Sequence, residues 1–250
     1  MMTTVKTDQE IAVMREGGRM VAMVLDLMKR KCRVGLTPKD MAAMARQEIA
    51  RLGGEPTCLG YHGFPDVICI SVNDQVQHTI PTDRPFAAGD IVNFDFVVTY
   101  KGLVTDAGLT ICVGGQPSTD DARLLKGTEQ ALRDGIAVVR AGCHVGDISA
   151  AIERTLRKYR LGIVRVLVGH GVGHEMHEDP EIPNYGRAGR GAVLRAGMTI
   201  AIEPITTLGG SDIYEGTDGW TLYTADGSRS AQFEHTVVVT SKGCEILTQL

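Results

Sequence analysis

Three histidines, His170, His174 and His177, fall within eight residues of the stretch VLVGHGVGHEMHEDPEIP, and acidic residues follow at once. Imidazoles packed this densely suggest a metal site. The helical zinc motif, however, needs histidines four apart so that both leave one face, and His174 and His177 are three apart. Gly169, Gly171, Gly173 and Pro180 also oppose a helix here. Val164, Val166 and Val168 lead in, which predicts a buried strand over 163–169 breaking into a glycine-rich turn, with His170 at the mouth of a sheet. Any partners for these histidines must come from other parts of the chain.

Carboxylates in apolar surroundings supply the candidates. Asp95 lies inside IVNFDFVVTY, on the same strand face as Asn93 and Val97, and Asp106 lies inside LVTDAGLTICV. The intervening YKG reads as a turn, so the two segments form a hairpin that brings both aspartates together. Glu203 in MTIAIEPIT and Glu234 in SAQFEHTVVVT sit in two further strand-like runs. A buried carboxylate without a partner is costly. Like charges ~4 Å apart repel by ~4 kcal/mol per pair at an effective dielectric near 20, so a converging cluster persists only with cations inside it. Four carboxylates and one neutral imidazole balance two divalent ions. The oxygen-rich shell suits Mn, Fe(II) or Co and admits Zn. A pair of such ions activates water and polarises a carbonyl, which is hydrolytic chemistry.

The elements that must hold these residues are well marked. Thr7 and Glu10 form a capping-box pattern ahead of apolar Ile11, Met14, Val21, Leu25 and Met28, and Lys29, Arg30 and Lys31 close that helix. Thr37 and Pro38 open a second helix that stops at Gly53-Gly54. A second helix pair is expected at roughly 120–140 and 147–160. Strands are expected at 66–72, 91–100 and 103–113 after the first pair, and at 163–169, 199–204 and 231–239 after the second. The two pairs are faintly alike (EGGRM…KRKCRVG…DMAAM against KGTEQ…VRAGCHVG…DISAA), which suggests an internal duplication. The expected architecture is one α/β domain over 1–250, with halves at about 8–115 and 118–245. With 26 basic and 30 acidic residues and no basic run, the chain offers no footprint for nucleic acid or an anionic membrane. Six scattered cysteines without a CxxC pair, and an amino terminus lacking an apolar signal core, predict reduced thiols and a cytoplasmic address.

Taken in order, Asp95, Asp106, His170, Glu203 and Glu234, together with CLGYHGFPDVICISVND and VQHTIP, resemble the type I methionine aminopeptidases of the pita-bread fold, from about residue 8 onward. That resemblance implies helix pairs related by a pseudo-twofold axis, packed on a curved, mainly antiparallel sheet. It implies Asp95 as ligand to one ion, Asp106 and Glu234 as bridges, and His170 and Glu203 completing the second ion. Glu203 would also be the general base, His78 would contact the scissile amide, and His177 would stabilise the oxyanion. His174 would do neither job. Cys58, Tyr61, Phe64, Cys69, Met176 and Trp220 would line the methionine pocket together with His78 and His177.

The sequence departs from the family pattern in four places. Thr79 stands where HGIP has glycine, and Val97 where bacterial enzymes often carry threonine. TDAGLT replaces Gly-Asp-x-x-x-Thr with Asp106 and Thr110 still spaced alike, and Met176 replaces a common aromatic. None removes a ligand, so they bear on specificity and metal preference. The implied partners are N-terminal methionine peptides and nascent chains, met in transient proximity to the ribosome by a monomer. Two other readings compete: an X-Pro aminopeptidase or dipeptidase of the same fold, and a metal-free peptide-binding module.

Overall fold

A computed structural model of the chain describes residues 5–250. The first four residues, part of the segment read as lacking a signal core, lie outside them. Helix α1 (Asp8–Lys31) starts at the expected capping box: the Thr7 hydroxyl accepts from the Glu10 N–H, and the Glu10 carboxylate accepts from the Thr7 N–H. Helix α2 (Pro38–Leu52) has Thr37 as its cap and ends at Gly53, whose φ of 81° is a left-handed stop. The second pair, α3 (Thr119–Ala137) and α4 (Val145–Lys158), ends and begins somewhat earlier than expected.

Among the described residues the strand pairings are all antiparallel. The strands Ile91–Tyr100 and Leu103–Cys112 pair along their full length through Lys101 and Gly102, both at positive φ, as a tight hairpin requires. Cys69–Val72 adds to the outer side of Ile91–Tyr100. A five-stranded sheet runs in the order Cys244–Ile246, His235–Val239, Thr199–Ile202, Gly169–Gly171 and Glu178–Ile182. The two largest apolar clusters among the described residues lie on either side. The first, around Met28, Ile49, Ile70, Phe94 and Phe96, comes from α1, α2 and the hairpin side; the second, around Leu124, Ile148, Ile152, Ile200 and Val237, comes from α3, α4 and the five-stranded sheet. No helix among the described residues is long and apolar enough to cross a membrane.

The structure corrects three expectations in the second helix-pair region. The run 163–169 is not one strand. Strand pairing stops at Ile163, the chain then crosses the surface with Val166 73% exposed and the Arg165 guanidinium over the Tyr185 ring, and pairing resumes as Gly169–Gly171. The glycine-rich segment is therefore an inner strand and not a turn. A Cβ on Gly169 would stand 2.4 Å from the Ala201 carbonyl oxygen, and one on Gly171 would stand 2.3 Å from that of Asp179. Neighbouring backbone fills the space, so glycine wins over β-branched residues there. Finally, Glu203 and Glu234 lie just outside strands. Glu203 and Pro204 separate Thr199–Ile202 from Ile205–Thr207, and Phe233 and Glu234 separate Ser230–Gln232 from His235–Val239.

Candidate metal centre and active site

Backbone register builds the site. In the hairpin Asp95 faces Gly108 and Val97 faces Asp106, so the two aspartates are diagonal neighbours on one face. Gly108 then exchanges hydrogen bonds with Glu234: the Glu234 N–H donates to the Gly108 carbonyl at 2.9 Å, and the Gly108 N–H donates to the Glu234 carbonyl at 3.4 Å. Asp95, Gly108 and Glu234 thus form a row crossing from hairpin to five-stranded sheet. A parallel row begins at Asp106, whose N–H donates to the Thr236 hydroxyl at 3.0 Å and whose carbonyl accepts from it at 2.7 Å. Thr236 pairs with Ala201, and Ala201 with His170. Glu203 follows two residues after Ala201, where its carbonyl accepts from the Asn184 amide.

His170 is buried with a defined tautomer. Its Nδ1 lies 2.9 Å from the Gly171 carbonyl oxygen, so Nδ1 carries the proton and Nε2 is left with its lone pair. Nε2 is 3.4 Å from Glu203 Oε1 and 4.0 Å from Asp106 Oδ2. Burial lowers the His170 pKa to about 4, which keeps the ring neutral. Burial likewise raises Asp106, Glu203 and Glu234 well above the usual carboxylate range, with the charges of the neighbouring carboxylates adding to it. Asp95 rises to about 6 through desolvation, against hydrogen bonds from Gln77 and Gln232 that pull it down.

Asp106, His170 and Glu234 each offer a ligand atom within 4.8 Å of the others. Asp106 Oδ1 and Glu234 Oε1 are buried without a protein hydrogen-bond partner. Buried carboxylate oxygens normally have one, and acids crowded and desolvated together ionise only with positive charge beside them. The residues present therefore fit divalent metal.

A cavity of about 290 Å³ opens against this cluster. Asp95 and Asp106 form one wall, and Cys58, Tyr61, Phe64, Cys69, Met176 and Trp220 form the apolar remainder, with His78 and His177 at the exposed mouth. Phe64 and Trp220 meet edge to face with centroids 5.2 Å apart. The Tyr61 hydroxyl is 3.1 Å from His177 Nδ1, and the His177 ring stands 4.4 Å from that of His170. Protein packed around His78 and His177 lowers both pKa values despite their open outer edges. His174 points the other way, with Nε2 2.7 Å from Glu10 Oε1 at the start of α1. All six cysteines are free thiols; Cys69 is pushed up by its hydrogen bond with Cys58 and by burial.

Several residues at the site escaped the sequence reading. His62 also lines the cavity, beside Val97, which the sequence had marked only as a departure from the family pattern. Gln232 donates to Glu234 Oε2 at 3.0 Å and accepts from the Asn93 amide at 2.9 Å, steadying the row that ends at Glu234. Gly108 had a readable signal, because a glycine inside a strand marks close backbone approach. A Cβ there would lie 2.3 Å from Gln232 Oε1.

The chain belongs to metallopeptidase family M24, which it matches over residues 12–241. Within that family it is similar to methionine aminopeptidases. It is 38% identical to methionine aminopeptidase 1 of Bacillus subtilis, with 98% of each chain covered. The crystal structure of methionine aminopeptidase from Thermotoga maritima superposes with a TM-score of 0.98 at 40% identity, covering all of both chains. The prolidase from Pyrococcus furiosus shares the pita-bread fold at a TM-score of 0.80 and 21% identity, with 99% of this chain and 66% of the prolidase covered.

Proposed function

We infer that this chain is a metal-dependent aminopeptidase that releases methionine from the amino terminus of peptides and nascent chains with a small second residue. One observation carries the reading: a single cavity joins a soft, apolar end built from thiols, a thioether and aromatic rings to the carboxylates Asp95 and Asp106. Such an end suits an unbranched thioether side chain. The carboxylates beside it place the adjoining carbonyl where hydrolysis can occur.

The charge count supports two ions: Asp95 would hold one, His170 and Glu203 would hold the other, and Asp106 and Glu234 would serve both. Mn, Fe(II) and Co suit the donor set, and Zn is admitted. When bound, the ions supply Lewis acidity to the scissile carbonyl and to water. Glu203 accepts the proton of the attacking water and returns it to the leaving amine nitrogen. With the Tyr61 hydroxyl donating to His177 Nδ1, the His177 proton sits on Nε2 and is available to the developing oxyanion. His78, at the rim with a φ of 57°, contacts the scissile amide. The same reading makes residues 1–250 one catalytic domain, monomeric and cytoplasmic, working transiently near the ribosome; the free thiols and the nature of a nascent substrate support it.

The test compares Met-Ala-Ser with Ala-Pro-Ala, with and without chelator. Met-Ala-Ser should be cleaved and Ala-Pro-Ala left intact. Chelator should stop cleavage, and Mn, Fe(II) or Co should restore it. Undiminished cleavage by metal-free protein, or preference for Ala-Pro-Ala, would overturn the reading.

A further inference from the structure

The loop that carries Met176 and His177 is anchored by a group from the far end of the chain. The Lys6 side chain is fully buried, and its Nζ lies 2.5 Å from Glu178 Oε2, across 172 residues of sequence. The other oxygen of that carboxylate, Oε1, accepts from the backbone N–H of His174 at 2.6 Å and of Glu175 at 3.2 Å. The Lys6 stem passes over Gly173, where a Cβ would stand 2.3 Å from Lys6 Cε, and Gly173 has a φ of 150°. Lys6 is fixed in turn, since its N–H donates to the Gly197 carbonyl at 2.8 Å. A second tie runs from His174 Nε2 to Glu10 on α1.

We propose that Lys6 and Glu178 are positioning residues for the reaction, a buried ion pair that holds the 173–178 loop so that His177 faces the scissile bond and Met176 closes the pocket. The physical argument is one of specificity over stability. A desolvated ion pair contributes little net stability against an apolar replacement, yet tolerates few alternative geometries. Here the carboxylate is spread over an ammonium and two loop amides, so a shift in Lys6 is felt at both amides. His177 immediately precedes Glu178, leaving one peptide between the clamp and the donor. The proposal rests on the aminopeptidase reading above.

The experiment uses the full-length, metal-loaded protein and Met-Ala-Ser. Lys6→Met should lower kcat by tenfold or more at unchanged metal content. Hydrogen exchange should speed up at the amides of 173–178 but not in the hairpin 91–112. Glu178→Gln keeps an oxygen for the two loop N–H groups while losing the charge, so its kcat should fall less. It also serves as the independent variant if Lys6→Met does not fold. An unchanged kcat in the variants that fold overturns the clamp, as does a loss accompanied by released metal or by faster exchange throughout the chain. Failure of wild-type protein to cleave Met-Ala-Ser would instead sink the aminopeptidase reading itself.

Discussion

The hairpin and the five-stranded sheet bring candidate ligands to the same place by opposite means. Asp95 and Asp106 sit inside two ten-residue strands that pair with each other along their full length. His170 occupies a three-residue strand of glycine neighbours, and Glu203 and Glu234 occupy breaks where strands pass from one sheet to another. The hairpin fixes its carboxylates by periodicity, because every second residue must face the cavity. The sheet fixes its ligands by interruption, because a side chain at a break is freed from alternation and held by whatever surrounds it. Rigid presentation on one side and local adjustment on the other let Asp106, His170 and Glu234 bring ligand-type atoms within 4.8 Å of one another.

Substitutions can break that comparison. The largest effect is expected at Asp106, because a neutral amide there would remove one of the charges that the proposed ions need. Asp106→Asn should abolish cleavage and reduce metal content measured on purified protein, and retention of both would remove Asp106 from the ligand set. Next comes the pair on the adjustable side. Glu203→Gln should lose more rate than His177→Ala, since it removes a donor and a proton carrier together. His177→Ala should cost ~3 kcal/mol in the barrier with metal content unchanged, as a single oxyanion donor does. The reverse order, measured as kcat, would contradict the assigned roles. Met176→Ala should lose ~1–3 kcal/mol of transition-state binding, read as kcat/KM for Met-Ala-Ser. Met176→Phe should stay within ~1.5 kcal/mol of wild type. Three equal values would withdraw Met176 from the pocket.

The smallest effect concerns pH. The Thr7 backbone N–H, and then His174, hold the Glu10 carboxyl at about 2, below its ordinary 4.5. A depressed carboxyl stabilises the fold above its unfolded pKa and loses that contribution as pH falls through the folded value. Glu10→Gln should therefore lower Tm at neutral pH, and the gap to wild type should close as pH drops from about 4.5 towards 2. A constant gap would mean that the carboxylate charge is not what matters.

The same contrast decides how much could be read beforehand. The caps at Thr7 and Thr37, the YKG turn and the alternation of IVNFDFVVTY are local, so the first helix pair and its hairpin were legible to within a few residues, with both aspartates on one face. The sheet side was less so. Val164, Val166 and Val168 carry strand propensity but lie where the chain crosses between sheets, and the true inner strand is Gly-His-Gly, chosen by backbone crowding that only the fold creates. Glu203 and Glu234 were identifiable as carboxylates among apolar residues, but the breaks beside them were not. The pocket residues were legible only through family resemblance, since Cys58, Phe64 and Met176 otherwise look like ordinary core. Lys6 and Glu178 carried no sign of each other across the length of the chain.

Gly108 belongs to the hairpin but hydrogen-bonds to Glu234, and that contact has a consequence for biosynthesis. A ribosome delivers the hairpin long before it delivers His170, Glu203 or Glu234. Until the later strands dock against Gly108, the emerging chain holds Asp95 and Asp106 but none of the candidate ligands His170, Glu203 and Glu234. Hydrolytic competence therefore arrives in a single late event, when the last segments close against the first. A polypeptide halted midway would be inert towards the amino termini around it, its own included.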